Sequence, residues 1–187
     1  MIRSVVALLA ALMLAAPAPA QDADPASIAA QQDAMKKFAW MRGVWRGPAV
    51  TQTREGEKRV TQTERIGPFL DGTLIAMEGK GYRDDGTIGF HAFGVLSYDP
   101  GAKAYTLRSH ALGHSGDFRF TPTDTGYVWE IPAGPATIRY TATFAAATWT
   151  EVGDYLSAGA PPRRFFRMVL ERVGDTDWPE AGGIARD

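Results

Sequence analysis

The sequence predicts an all-β protein, a closed antiparallel up-and-down barrel of about ten strands behind a short N-terminal helix. Three observations lead there. From Val44 to Val173, β-branched and aromatic residues recur with a period of two, broken by Gly, Pro and Asp turn signals about every eight to twelve residues. The strands leave no room between them for crossover helices, so parallel βαβ units are excluded and neighbours must be antiparallel. Consecutive hairpins leave unpaired edges, which a sheet removes by closing on itself. A two-sheet sandwich shares the periodicity, and the uniformly short connections favour the barrel.

Composition narrows the chemistry. The 187 residues, 45% hydrophobic and 22% charged, suit one globular domain. The absence of Cys excludes disulfides, thiolate metal sites, iron–sulfur clusters and thiol nucleophiles. With 20 Lys and Arg against 21 Asp and Glu, the net charge of −1 offers no electrostatic footprint for nucleic acid.

Residues 1–20 read as a cleaved secretory signal. Arg3 supplies the positive start, Val5 to Leu14 the apolar stretch, and Ala18-Pro19-Ala20 the small-residue cleavage site. The apolar run before Pro17 is about half the ~20 residues needed to span a bilayer. A periplasmic or secreted location follows, with no stable membrane anchor after cleavage. Residues 21–42 form a tether and short helix, started by the Asp24 cap and Pro25. Met35, Phe38 and Ala39 make one apolar stripe near its end.

Residues 43–173 form the barrel. Its clearest strand is Ala136 to Phe144, where Ala136, Ile138, Tyr140, Ala142 and Phe144 alternate with Thr137, Arg139, Thr141 and Thr143. Less clean alternation marks 44–53, 59–66, 73–82, 88–99, 104–112, 117–121, 127–131, 148–155 and 165–173. One hairpin can be registered directly, because Pro100-Gly101 turns the chain and sets Tyr98 against Tyr105. Leu96 then faces Leu107 and Gly94 faces Ser109, on an inward face continuing through Ala92 and Phe90. His91, Phe93, Val95, Arg108 and His110 point outward. Residues 174–187 form a polar tail pinned by Trp178-Pro179.

The segment Gly43-Val44-Trp45-Arg46-Gly47, entering the first strand after a short helix, resembles the opening of calycins, the superfamily of lipocalins, fatty-acid-binding proteins and nitrobindin-like barrels. Leu70-Asp71-Gly72-Thr73-Leu74-Ile75, Met77-Glu78-Gly79, Leu96-Ser97-Tyr98-Asp99 with Tyr105, and Phe166 to Arg172 resemble, in that order, an uncharacterised bacterial secreted family with this barrel. The resemblance implies a closed barrel with a small-molecule cavity and no assigned reaction. It also implies a barrel-closing pair in which Arg172 covers Trp45, with Arg167 as the next choice. A guanidinium on an indole face contributes about 0.5–1 kcal/mol when exposed. Nitrobindin-like relatives ligate haem through a histidine near the carboxyl end; no histidine follows His114, so no cofactor is expected.

Other motifs reduce to local structure. His110 and His114, spaced i, i+4, converge only on a helix, and here a turn begins between them, so no metal is expected. Gly113-His114-Ser115-Gly116-Asp117 departs from the nucleophile elbow at its last position and continues as strand, which makes it a hairpin turn. Glu64, Glu78, Asp117, Glu130, Glu151 and Glu171 could serve acid–base chemistry only if two converge in a cavity with displaced pKa values. Most such groups are solvated or paired with Arg108, Arg119, Arg139 and Arg167. Tyr127, Trp129 and Ile131 share one strand face, as do Trp149 and Glu151.

These features point to a barrel binding a small, partly apolar molecule inside, lined by Tyr98, Tyr105, Leu107, Ser109, Trp129, Tyr140 and Trp149. Two alternatives stand beside it. One is a hydrolase or isomerase using an inward carboxylate or histidine; the other is a solid-cored envelope protein that works through its outer face.

Overall fold

The computed structural model describes residues 22–179; the signal expected at 1–20 and the last residues of the expected tail lie outside this range. Ten strands follow one another around a closed antiparallel barrel: β1 (Gly43–Thr53), β2 (Gly56–Phe69), β3 (Leu74–Tyr82), β4 (Ile88–Asp99), β5 (Ala104–Ala111), β6 (His114–Thr123), β7 (Gly126–Ala133), β8 (Ala136–Ala145), β9 (Thr148–Ser157) and β10 (Arg163–Gly174). Pairing of β1 with β10 closes the cylinder. The β4–β5 register is the expected one: Tyr98 opposite Tyr105, Leu96 opposite Leu107 and Gly94 opposite Ser109. Leu112 and Gly113 both adopt positive φ in the two-residue turn joining β5 to β6, so the serine-containing motif is a hairpin as expected.

The two barrel ends differ. At one, α1 (Pro25–Lys36) packs near β3 and β4, its first turn capped by Asp24, which accepts from the Ala26 and Ser27 amides at 3.1 Å each. Met35, Phe38 and Met41 are buried there, whereas Ala39 is exposed. The apolar stripe breaks because α1 ends at Lys36, and a single 3-10 turn over Ala39–Met41 turns Met41 inward instead. The other end, at the β1–β2, β3–β4 and β5–β6 turns, is open. β6 and β7 pair only from Phe120 opposite Trp129 to Thr123 opposite Gly126, beside their turn, and part toward the open end.

Outside the barrel, Trp178 lies against Gly67, where a Cβ would fall 2.7 Å from the Trp178 Cβ, and against the Phe69 and Phe93 rings at 5.7 and 6.2 Å. These contacts hold the chain at Trp178. Among the described residues, no helix is long and apolar enough to cross a membrane.

Candidate functional site

Alternation along the strands decides which side chains enter the barrel, and their sizes decide whether it is hollow. On β3 to β5 the inward positions carry Gly79, Ala92, Gly94, Ser109 and Ala111; on β7 to β10 they carry Tyr127, Trp129, Tyr140, Trp149 and Phe165. Small residues facing large ones leave a cavity of about 1110 Å³. Trp129 stacks on Tyr140 at 4.4 Å between ring centroids, so the aromatic wall is ordered by its own contacts. Lys58, Arg59, Arg83, Asp84, Asp85 and His114 ring the mouth.

Two of the six candidate carboxylates, Glu64 and Glu151, line this lumen. Glu64 of β2 lies in register between Trp45 and Gly79, and Glu151 of β9 between Ala142 and Met168, both near the helix-sealed end. Glu64 Oε1 accepts a 2.7 Å hydrogen bond from Gln62 Nε2. Glu151 Oε2 accepts from the Tyr127 hydroxyl at 2.5 Å. Gly79 makes room for the first carboxyl: a Cβ there would stand 2.6 Å from Glu64 Oε1 and 2.9 Å from Oε2. The Trp149 indole N–H approaches the Tyr127 hydroxyl without making a well-formed hydrogen bond, and it is buried with no other acceptor.

Burial sets the electrostatics. Glu64 is enclosed by protein yet touches the lumen, and the loss of solvation pushes its pKa up to about 8, against the Gln62 hydrogen bond, with the charges of Glu151 and Glu78 adding to the rise. Glu151 is raised to about 7 by burial, opposed by Tyr127 and Trp129. Burial and the Glu151 charge also raise Tyr127 and Tyr140, which keeps both hydroxyls protonated at neutral pH. The other four candidates face away from the lumen. Glu78 meets Lys80 and His91 at 2.9 Å each, Asp117 meets Arg108 at 2.8 Å, Glu130 meets Arg139 at 2.7 Å, and Glu171 is exposed.

Leu107, Ser109, Trp129, Tyr140 and Trp149 all line the lumen. Tyr98 and Tyr105 do not: they face inward but sit under the helix, where the Tyr105 hydroxyl donates to the Ala34 carbonyl at 3.2 Å and its ring meets Phe38 at 5.4 Å. Strand parity gave their direction, and the helix decided what they touch. The Trp45–Arg172 pair also needs correction. The two residues are opposite in register, but the Arg172 guanidinium turns to Asp175 and lies against Gly43, 3.0 Å from where a Cβ would be. Trp45 is covered by Phe144 and Trp149 instead, and its indole donates to the Met41 carbonyl at 2.8 Å. Among the described residues, a guanidinium lies over an aromatic ring where Arg163 covers Tyr155.

The histidines gather at a shallow depression on the outer rim, with His91 and His110 exposed on the outside of the wall. Among the described residues, no three His, Asp or Glu side chains stand together as a metal site. Histidine is likewise missing from the floor of the lumen, so the residues there do not offer an imidazole to haem iron. Gln62, Tyr127 and Gly79 join the site without a role that the sequence alone assigns; the alternation Val60, Gln62, Glu64, Ile66 was the available signal for the first.

No family model matches the chain, and no curated protein matches it in sequence. In three dimensions it is similar to the crystal structure of Rv2717c from M. tuberculosis, with a TM-score of 0.56 and 11% sequence identity over 74% of this chain and 96% of that one. At that identity the likeness is one of fold, and it supports the barrel architecture.

Proposed function

We propose that this protein is a secreted or periplasmic calycin-like barrel that binds a small, partly apolar molecule in its interior. The observation that carries this reading is the lumen of about 1110 Å³, sealed at one end, open at the other, and walled by aromatic rings with a few convergent polar groups. Leu107, Ser109, Trp129, Tyr140 and Trp149 supply the contact surface, while Tyr98 and Tyr105 brace the sealed end. The leader-like residues 1–20 support export. Native mass spectrometry of the protein from its own host tests both points. The expected result is a mature chain beginning at Gln21 and carrying a bound small molecule. An empty chain that also fails to bind 1-anilinonaphthalene-8-sulfonate overturns the binding reading.

A second reading, an acid–base enzyme, is supported by the two inward carboxyls held near neutrality. Turnover of an ester or glycoside panel, abolished by Glu64→Gln, is the result that would favour it over passive binding.

A further inference from the structure

The floor of the lumen presents acceptors to the cavity, and its unspent donor among the described residues, Trp149 Nε1, is buried away from the cavity surface. Gln62, 4% exposed, gives its amide N–H to Glu64, and among the described residues its carbonyl oxygen has no donor. Glu151, 8% exposed, uses one oxygen on Tyr127 and turns into the same cavity. Among the described residues, no lysine or arginine reaches this depth. The cations that line the lumen stand at its mouth and are engaged there: Lys58 with Glu55 at 2.8 Å, Arg59 with Glu57 at 2.5 Å, and Arg83 with the Thr87 hydroxyl at 3.1 Å. Two lumen carboxyls without a base, Glu151 buried and Glu64 half-buried, oppose folding, and natural sequences break such rules at functional sites.

We propose that the lumen selects an amphiphilic amine, its apolar body lying along the aromatic wall and its protonated amino group donating hydrogen bonds to Glu64, Glu151 and the Gln62 carbonyl. This rests on the lumen-binding reading above and specifies its ligand class. An ammonium supplies both the charge and the N–H donors that the floor lacks, and hydrogen bonds between ionised partners are about twice as strong as neutral ones. A ligand carboxylate would add a third acid to the pair, and an alcohol would neutralise nothing. The faces of Trp129, Tyr140 and Trp149 add a favourable quadrupole for a cation. Trp149 Nε1, the buried donor without an acceptor, stands beside the hydroxyl that donates to Glu151. Ionisation of Glu151 polarises that chain and strengthens it.

The groups facing the pair are each other, Tyr127 of β7 and Tyr140 of β8, with Glu78 acting through the β2–β3 wall and Lys58, Arg59, Arg83, Asp84, Asp85 and His114 at the mouth. Because the free pair holds protons near neutrality, amine binding must expel them at low pH. Affinity therefore rises with pH until the pair is ionised, while an alkylammonium, like lysine, stays charged to about pH 10.

Calorimetric titration with decylamine, decanol and decanoate, each below its micelle concentration, tests the proposal on the wild type, Glu64→Gln and Glu151→Gln. At about pH 8, decylamine is expected to bind about tenfold or more tightly than decanol, and the advantage to shrink toward unity at about pH 5. Both variants, with near-UV circular dichroism confirming their fold, should keep decanol and lose the preference. Decanol or decanoate binding as tightly as decylamine at the higher pH, or a preference surviving in both variants, overturns the amine assignment and leaves lumen binding intact. Failure of all three probes to bind overturns both.

Discussion

Trp45 shows how a side chain's neighbours can differ from its sequence partners while its role survives. It is 0% exposed, donates its N–H to the Met41 carbonyl at 2.8 Å, and meets Phe144 and Trp149 edge-on at 5.9 and 5.8 Å. Truncating so buried an aromatic leaves a cavity, so Trp45→Ala should cost about 3–5 kcal/mol. Arg172→Ala should cost far less, because its ion pair with Asp175 is exposed. Urea denaturation of the two variants checks this, and an unchanged midpoint for Trp45→Ala would contradict it. Residue-level reasoning was least decisive for the carboxylates. Parity placed Glu151 with Trp149, and Glu64 alternates with Gln62 and Ile66. What parity lacks is distance: β2 and β9 are far apart in the chain, and the closure through β1 and β10 makes them neighbours across the lumen.

At the scale of elements, the N-terminal helix and the turn after it are the plug that makes one end of the barrel a floor. Phe38, 1% exposed, meets Tyr105 and Phe120 at 5.4 and 5.3 Å, and Met35 and Met41 are buried beside it. Phe38→Ala should lower stability by about 3–5 kcal/mol. It should also loosen the floor, so iodide quenching of tryptophan fluorescence should rise in the folded variant; quenching equal to wild type would mean that the plug does not depend on this ring. The β4–β5 hairpin was legible residue by residue because Pro100-Gly101 set its register locally. The helix was half legible. Its Asp24-Pro25 start follows from backbone chemistry, while its end at Lys36 and the inward turn of Met41 answer to the barrel end beneath them.

The whole molecule carries the cost of its site as a pH dependence. Both lumen glutamates have folded-state pKa values raised above the unfolded value of 4.5, to about 8 for Glu64 and about 7 for Glu151. Between those limits the folded protein holds protons that the unfolded chain releases, so stability must fall as pH rises through that window. The loss is on the order of a few kcal/mol. Carboxylates with lowered pKa, such as Glu78, act in a different window, contributing above their unfolded pKa and losing that contribution in more acidic solution. Glu64→Gln should flatten the slope and exceed wild type in stability at about pH 8, as measured by urea unfolding at several pH values. A profile that stays flat or rises across the window in the wild type would argue against a buried pair.

By itself the sequence determined the antiparallel character of the chain, its approximate strand number and the inward or outward sense of most side chains, while it favoured closure over a sandwich only through its short connections. Those properties follow from the two-residue period and from turn chemistry, which act over a few residues. Only the tertiary structure decided that the cylinder is hollow, that Tyr98 and Tyr105 belong to its plug, and that Glu64 and Glu151 share its floor. Those outcomes depend on which side chains meet across the lumen after closure, and strand periodicity carries no information about the opposite wall.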